Sequence, residues 1–201
     1  MQNFLSKVML TVLSMSAAIL IAESEPYTSV HKIPWTPYYV QDGYVISNLI
    51  TTKSAAIILD IGSKEGSVSR FIAQQNLSNV VKIYSVDSWL SSDLTLKNQY
   101  HEFLSNVENE KISDLIISIR MSSKEAANAL NLVGDFIFLG SNVGKLLYED
   151  VHQWIAHLSD NGIIAGLNWY DNSIKSAVSK AASELNLNVV VNGDVWYLER
   201  N

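Results

Sequence analysis

The sequence predicts an α/β domain built on a mostly parallel sheet with helices on both faces. Short apolar runs of strand length alternate with stretches of helical period from residue 56 to the C-terminus. The first run, Ala56-Ile57-Ile58-Leu59, leads through Asp60 into a turn carrying Gly62 and Gly66. An amphipathic stretch with Val68, Phe71 and Ile72 on one side follows, so the segment reads as strand, tight turn, helix. The second run, residues 80–86, ends in Asp87, an acid at the close of the next parallel strand.

These first two strands together carry a ligand reading. Glycines at such a turn take backbone angles closed to other residues and let a ligand approach the main chain. The helix that follows presents unpaired N–H groups at its N-terminus. An acid at the end of the next strand accepts hydrogen bonds from both hydroxyls of a ribose. Either signal alone is ordinary: two glycines mark a strand-to-helix turn, and Asp60 caps a helix or pairs within its loop. Together they predict a nucleoside-bearing ligand.

The remaining elements follow in order. Tyr44, Val45, Ile46, Leu49 and Ile50 predict a short helix before the first strand. Leu96, Tyr100, Phe103, Leu104 and Val107 keep the spacing of a helix packed on the sheet. Residues 115–119 read as the third strand, and Ser122-Ser123-Lys124-Glu125 opens a helix with a capping-box pattern. Residues 135–139 read as the fourth strand. Leu147, Val151, Trp154, Ile155 and Leu158 form the buried stripe of the next helix, which Asn161-Gly162 is expected to stop. Residues 162–167 make a fifth strand, and Ile174, Ala177, Val178, Ala181 and Leu185 a further helical face. Residues 187–191 and 194–198 close the chain as a hairpin about Asn192-Gly193, adding an antiparallel strand.

With 201 residues and 48% hydrophobic content the chain suits one well-buried domain. The net charge of −6 and the absence of a Lys/Arg cluster argue against a nucleic-acid partner. The lack of cysteine rules out disulfides, thiolate nucleophiles and Cys-built zinc sites. At the N-terminus Lys7 precedes the uncharged apolar stretch 8–22, and Ala22-Glu23-Ser24 sets small residues at the −3 and −1 positions of a cleavage after Ser24. Residues 1–24 therefore predict a cleavable signal peptide and export to a periplasm or medium. The stretch is shorter than the roughly 20 residues of a spanning helix, and the alternative is a membrane anchor with contact through residues 8–22 only. Residues 25–42 hold Pro26, Pro34 and Pro37 with several aromatics and read as an extended lead-in arm. The domain proper is residues 43–201.

His31, His101, His152 and His157 are scattered without metal-ligand spacing, so no metal site is expected. Glu149 and His152 share a helix face but have no matching half elsewhere. Trp154 and Trp196 read as packing residues, whereas Trp169, beside Asn168 and Tyr170 at a strand end, reads as a candidate pocket wall. No Gly-x-Ser-x-Gly elbow is present.

The order of these motifs resembles the class I S-adenosylmethionine-dependent methyltransferases of the small-molecule type, over roughly residues 43–199. Asp60, Gly62 and Gly66 are similar to the family's Asp/Glu-x-Gly-x-x-x-Gly motif, whose loop lies against the amino-acid part of the cofactor. The resemblance implies a Rossmann-like, doubly wound, mostly parallel seven-stranded sheet with an antiparallel terminal strand, and S-adenosylmethionine as cofactor. It implies Asp87 as the ribose acid, Trp89 as a border of the adenine and Ser122 or Ser123, after the third strand, as an adenine contact. The departure lies at the fourth strand. Relatives often continue into Asp-Gly-Asp-His, whereas Asp135-Phe136-Ile137-Phe138-Leu139 runs into Gly140-Ser141-Asn142-Val143. After the fifth strand Gly166-Leu167-Asn168 stands where Gly-His-Asp is common.

Methyl transfer to oxygen or nitrogen needs in-line approach and usually a base or metal to take a proton. Asn142 and Asn168 hydrogen-bond a substrate but are not bases at neutral pH, and Asp171 or Tyr170 downstream could substitute. The expected function is S-adenosylmethionine-dependent methylation of a small-molecule acceptor, with Asn142, Asn168 and Asp171 at the reacting edge. The alternative is an inactive methyltransferase-fold module for ligand binding or interaction, exported or membrane-associated. A nicotinamide oxidoreductase ranks last, because residues 62–66 lack the Gly-x-Gly-x-x-Gly spacing.

Overall fold

In the computed structural model the described residues are 40–90, 99–140 and 144–201. The leader, the arm through residue 39, Leu96 and Asn142 lie outside them. Helix α1 (Gly43–Thr52) precedes β1 (Ile57–Ile61), α2 (Ser67–Gln74), β2 (Lys82–Asp87), α3 (Gln99–Glu110) and β3 (Ile116–Arg120). Then come α4 (Ser123–Ala129), β4 (Gly134–Leu139), α5 (Gly144–Trp154), β5 (Leu158–Gly166), α6 (Asn172–Leu185), β6 (Leu187–Asn192) and β7 (Val195–Arg200).

The seven strands form one sheet in the order β3-β2-β1-β4-β5-β7-β6. Strands β1 to β5 pair in parallel, and β7 runs antiparallel to β5 on one side and β6 on the other. This is the mostly parallel, doubly wound sheet with an antiparallel terminal strand that the sequence predicts. Successive side chains of a strand face opposite ways, so Ile58, Phe136 and Phe138 pack with Ile46, Ile72 and Phe103 on one face. Leu59, Ile61, Ile137 and Leu139 pack with Val151, Trp154 and Val178 on the other. Burial on both faces explains why these strands are continuous apolar runs without alternation.

Polar groups inside the layers are paired across elements. The Asp135 carboxylate on β4 accepts the N–H groups of Ala56 and Ile57, both at 3.0 Å, and the Ser159 hydroxyl at 2.8 Å. Burial alone would raise its pKa, but these three bonds outweigh it and hold the carboxyl below the ordinary carboxylate value. Between α2 and α3 the fully buried Arg70 pairs with Glu110. The capping box that opens α4 forms as read: Ser122 Oγ accepts from the Glu125 N–H at 3.3 Å, and Glu125 accepts from the Ser122 N–H at 3.0 Å.

Two sequence expectations are corrected. Leu158 and Asn161-Gly162 do not end a helix. Helix α5 stops at Trp154, a 3₁₀ turn (Ile155–His157) follows, and Leu158 already pairs with Gly134 of β4. The next matched pair is Phe136 with Ile163, so five steps on β5 oppose two on β4, and Asn161-Gly162 sits in that bulge. Helical spacing misled here because Leu158 continues the apolar stripe of α5 while serving a strand. The terminal turn is also displaced by one residue: Asn192 pairs with Val195, and Gly193-Asp194 forms the two-residue loop, with Gly193 at φ 64° where a side chain is disfavoured. Among the described residues no helix is long and apolar enough to cross a membrane.

Candidate active site

The site is built at the carboxyl ends of β1, β2, β4 and β5, where the strand order reverses between β1 and β4. Open α/β sheets place their ligands at such switch points. Strand β1 turns into α2 through residues 62–66, a loop closed by the Gly66 N–H donating to Ser63 O at 2.7 Å. Gly66 has φ 86°, and a Cβ there would lie 2.8 Å from the Phe103 ring, so both its conformation and its packing require glycine. The loop is tied to β2 by the N–H groups of Gly62 and Ser63, which donate to Val86 O at 2.7 and 3.3 Å.

A cavity of about 320 Å³ opens over this loop, lined by Asp60, Gly62, Lys64, Glu65, Gly140, Asn168 and neighbouring apolar groups. A second hollow of about 290 Å³ shares Gly62 with it and is lined by Asp87, Ser122, Ser123, Glu149, Asp150 and Gln153. The crevice thus has two lobes on either side of Gly62.

Asp60 is 1% exposed. One carboxylate oxygen accepts the Ser69 N–H at 3.2 Å and the Ser69 hydroxyl, which in turn lies 2.6 Å from the Ser85 hydroxyl. The other, Oδ1, is buried without a hydrogen-bond partner. Burial pushes this carboxyl up to about 6, against the hydrogen bonds from Ser69 that favour its charged form. A buried acceptor left unmatched costs free energy, and the residue that carries it lines the first lobe.

Asp87 accepts the Lys64 N–H at 3.1 Å on Oδ2 and the Trp89 N–H at 2.8 Å on Oδ1. A carboxylate has about four acceptor sites, so it retains capacity for hydroxyl donors in the second lobe. In the same lobe Gln153 Oε1 is buried without a partner. Asn168 lines the first lobe from a left-handed backbone at φ 62°.

Among the predicted site residues Gly66 lines neither lobe, and the side chains of Trp89, Ser123 and Asp171 are engaged with other partners. The Trp89 indole is 5% exposed and lines neither lobe; it packs inward against Tyr100 and Phe103, because the turn closed by Asp87 sends it under the loop. Ser123 lines the second lobe, but its hydroxyl donates to Asp150 at 2.5 Å and accepts from the Trp154 indole at 2.9 Å, which anchors α4 to α5. Asp171 lies outside both lobes and caps α6, accepting the Ser173 hydroxyl and N–H, both at 2.7 Å. Those bonds lower its pKa, the opposite of what a general base needs. Trp169 likewise lines neither lobe. Sequence reading missed Ser69, which holds Asp60; Asp194, which holds the Asn168 N–H; and Gln153 in the wall of the second lobe. Among the described residues no group of three or more His, Asp or Glu is placed to hold a metal ion.

The sequence matches no family model and no curated protein. Solved structures do match. A putative caffeoyl-CoA O-methyltransferase from Staphylococcus aureus superposes with a TM-score of 0.64 at 14% identity, covering 99% of this chain and 100% of that one. An O-methyltransferase from Bacillus cereus in complex with SAH gives 0.61 at 15% identity, covering 82% and 84%. The SAH-bound Podospora anserina methyltransferase PaMTH1 gives 0.62 at 14%, covering 95% of each chain. The fold is that of the class I methyltransferases. At such identities the likeness is one of fold, and a methyltransferase fold alone does not name a substrate.

Proposed function

We propose that this domain binds S-adenosylmethionine in the two-lobed crevice and transfers its methyl group to a small-molecule acceptor. The observation that carries the reading is that two carboxylates with acceptor capacity to spare, Asp60 and Asp87, line the two lobes that share Gly62. Asp60, which lines the first lobe, has a buried carboxylate oxygen without a partner, and Asp87 keeps spare acceptor capacity in the second. A ligand with an ammonium at one end and ribose hydroxyls at the other satisfies both. The solved structures similar in fold include methyltransferases holding SAH or SAM, which supports this choice of cofactor.

When bound, the cofactor supplies an electrophilic sulfonium methyl. Asp60 would hold the ammonium, Asp87 the ribose, and Asn168 would orient an acceptor by hydrogen bonds; Asn142 follows β4 in the sequence but lies outside the described residues. Neither asparagine takes a proton at neutral pH. Acceptors that arrive as anions or neutral amines therefore suit the described part of this edge. We also read residues 1–24 as an export leader. Because S-adenosylmethionine is made in the cytosol, N-terminal sequencing of the fractionated protein bears directly on function, and an intact Met1 terminus in the cytosol would overturn the export reading.

The deciding experiment is calorimetric titration with S-adenosylmethionine and S-adenosylhomocysteine, alongside Asp87→Ala. Micromolar binding lost in the variant is the expected result. A folded protein that binds neither compound would overturn the proposal.

A further inference from the structure

We propose that Trp89 is a positioning residue for the glycine loop: its indole N–H and the Asp87 carboxylate together clasp Lys64 and hold the floor of the crevice in its ligand-ready shape. The indole N–H of Trp89 donates to Lys64 O at 2.6 Å, while the Lys64 N–H donates to Asp87 Oδ2 at 3.1 Å. Both main-chain polar groups of one loop residue are thus gripped from the end of β2. The Trp89 N–H closes the arrangement by donating to Asp87 Oδ1 at 2.8 Å.

The backbone bears the mark of this clasp. Lys64 sits at φ 49° and Trp89 at φ 47°, in the left-handed region. A bulky residue is a genuine outlier there, and such strain persists only where the surroundings over-determine it. The surroundings here are a pile of rings. Trp89 packs on Tyr100 with centroids 4.7 Å apart and on Phe103 at 5.1 Å. Phe103 lies beneath Gly66, and the Arg120 guanidinium lies over the Tyr100 ring at 4.9 Å. The loop is therefore shaped before any ligand arrives, and a preorganised loop adds affinity by removing an ordering cost.

Its consequence for binding rests on the S-adenosylmethionine reading. A loop loosened at Lys64 weakens contacts with the amino-acid part of the ligand in the first lobe and spares an isolated nucleoside in the second.

The test compares the full chain with Trp89→Phe, which keeps a ring and removes the N–H, and with Asp87→Asn, which weakens the other half of the clasp. Hydrogen exchange of the Gly62, Ser63, Lys64 and Gly66 amides is read against that of the β1 and β4 amides. In both variants the loop amides are expected to exchange about tenfold faster, the scale of one lost hydrogen bond, with the strand amides unchanged. In Trp89→Phe, affinity for S-adenosylhomocysteine falls about tenfold while affinity for adenosine changes by less than about twofold. Unaltered loop exchange in a folded Trp89→Phe protein overturns the proposal, as does an equal loss of both ligands, which a general loss of structure would produce. If the parent chain binds no S-adenosylhomocysteine and loop exchange still rises in the variants, the clasp stands and the cofactor reading falls.

Discussion

The Asp194 carboxylate accepts the backbone N–H of Asn168 at 3.0 Å, joining the hairpin between β6 and β7 to the loop that follows β5. Its other oxygen accepts the Tyr170 N–H at 3.4 Å, and Asp194 O accepts the Trp169 N–H at 3.1 Å. Asp42, at the entry to α1, in turn accepts the Asp194 N–H at 2.8 Å. A buried turn residue therefore sets the left-handed backbone from which Asn168 reaches the cavity. Replacing Asp194 with Ala leaves the Asn168 and Tyr170 N–H groups unmatched and is expected to cost about 2 kcal/mol. Urea unfolding should show a lower midpoint at unchanged slope; an unchanged midpoint would refute the assignment.

Asp60 makes stability depend on pH in an unusual sense for a carboxylate. Its folded-state pKa of about 6 stands above the ordinary 3.8, so between those values the folded protein binds more protons than the unfolded chain. Stability should then fall as pH rises from about 4 to beyond 6, by about 3 kcal/mol in total. Asp60→Asn should flatten this part of the profile. Denaturation midpoints across that range check it, and superimposable profiles for the two proteins would count against it.

Ligand binding should move the same proton. A cation brought close to Asp60 favours the carboxylate, so S-adenosylhomocysteine binding near pH 6 is expected to release about half a proton. Calorimetry in buffers of different ionisation enthalpy measures this release, and Asp60→Asn should abolish it.

Gly166 marks a close approach rather than a flexible joint. A Cβ at this position would collide with the Trp196 indole, whose N–H donates to Leu167 O at 3.0 Å. Gly166→Ala is expected to cost about 1–3 kcal/mol through overpacking. The same change should cost less in a Trp196→Leu background, and a double-mutant cycle with no coupling would show that the ring is not the obstacle.

The local half of the site was legible in the sequence because it rests on neighbours in the chain. Asp60, Gly62 and Asp87 stand at the ends of apolar runs, and the structure sets all three in the crevice walls. Trp89, Ser123 and Asp171 were harder. Partners distant in the chain decide the side-chain direction of two of them, Lys64 for Trp89 and Asp150 for Ser123, whereas Asp171 is held locally by Ser173 at the N-terminus of α6.

By itself the sequence determined the alternation of strands and helices, the parallel sense of the first five strands and the hairpin that reverses the last. Period and turn chemistry act over a few residues and are written in local order. Only the tertiary structure decided the order β3-β2-β1-β4-β5-β7-β6, the bulge that moves Asn161-Gly162 into β5, and the unmatched oxygen of Asp60. Those depend on which buried polar groups find partners across the folded layers, and no local pattern records that accounting.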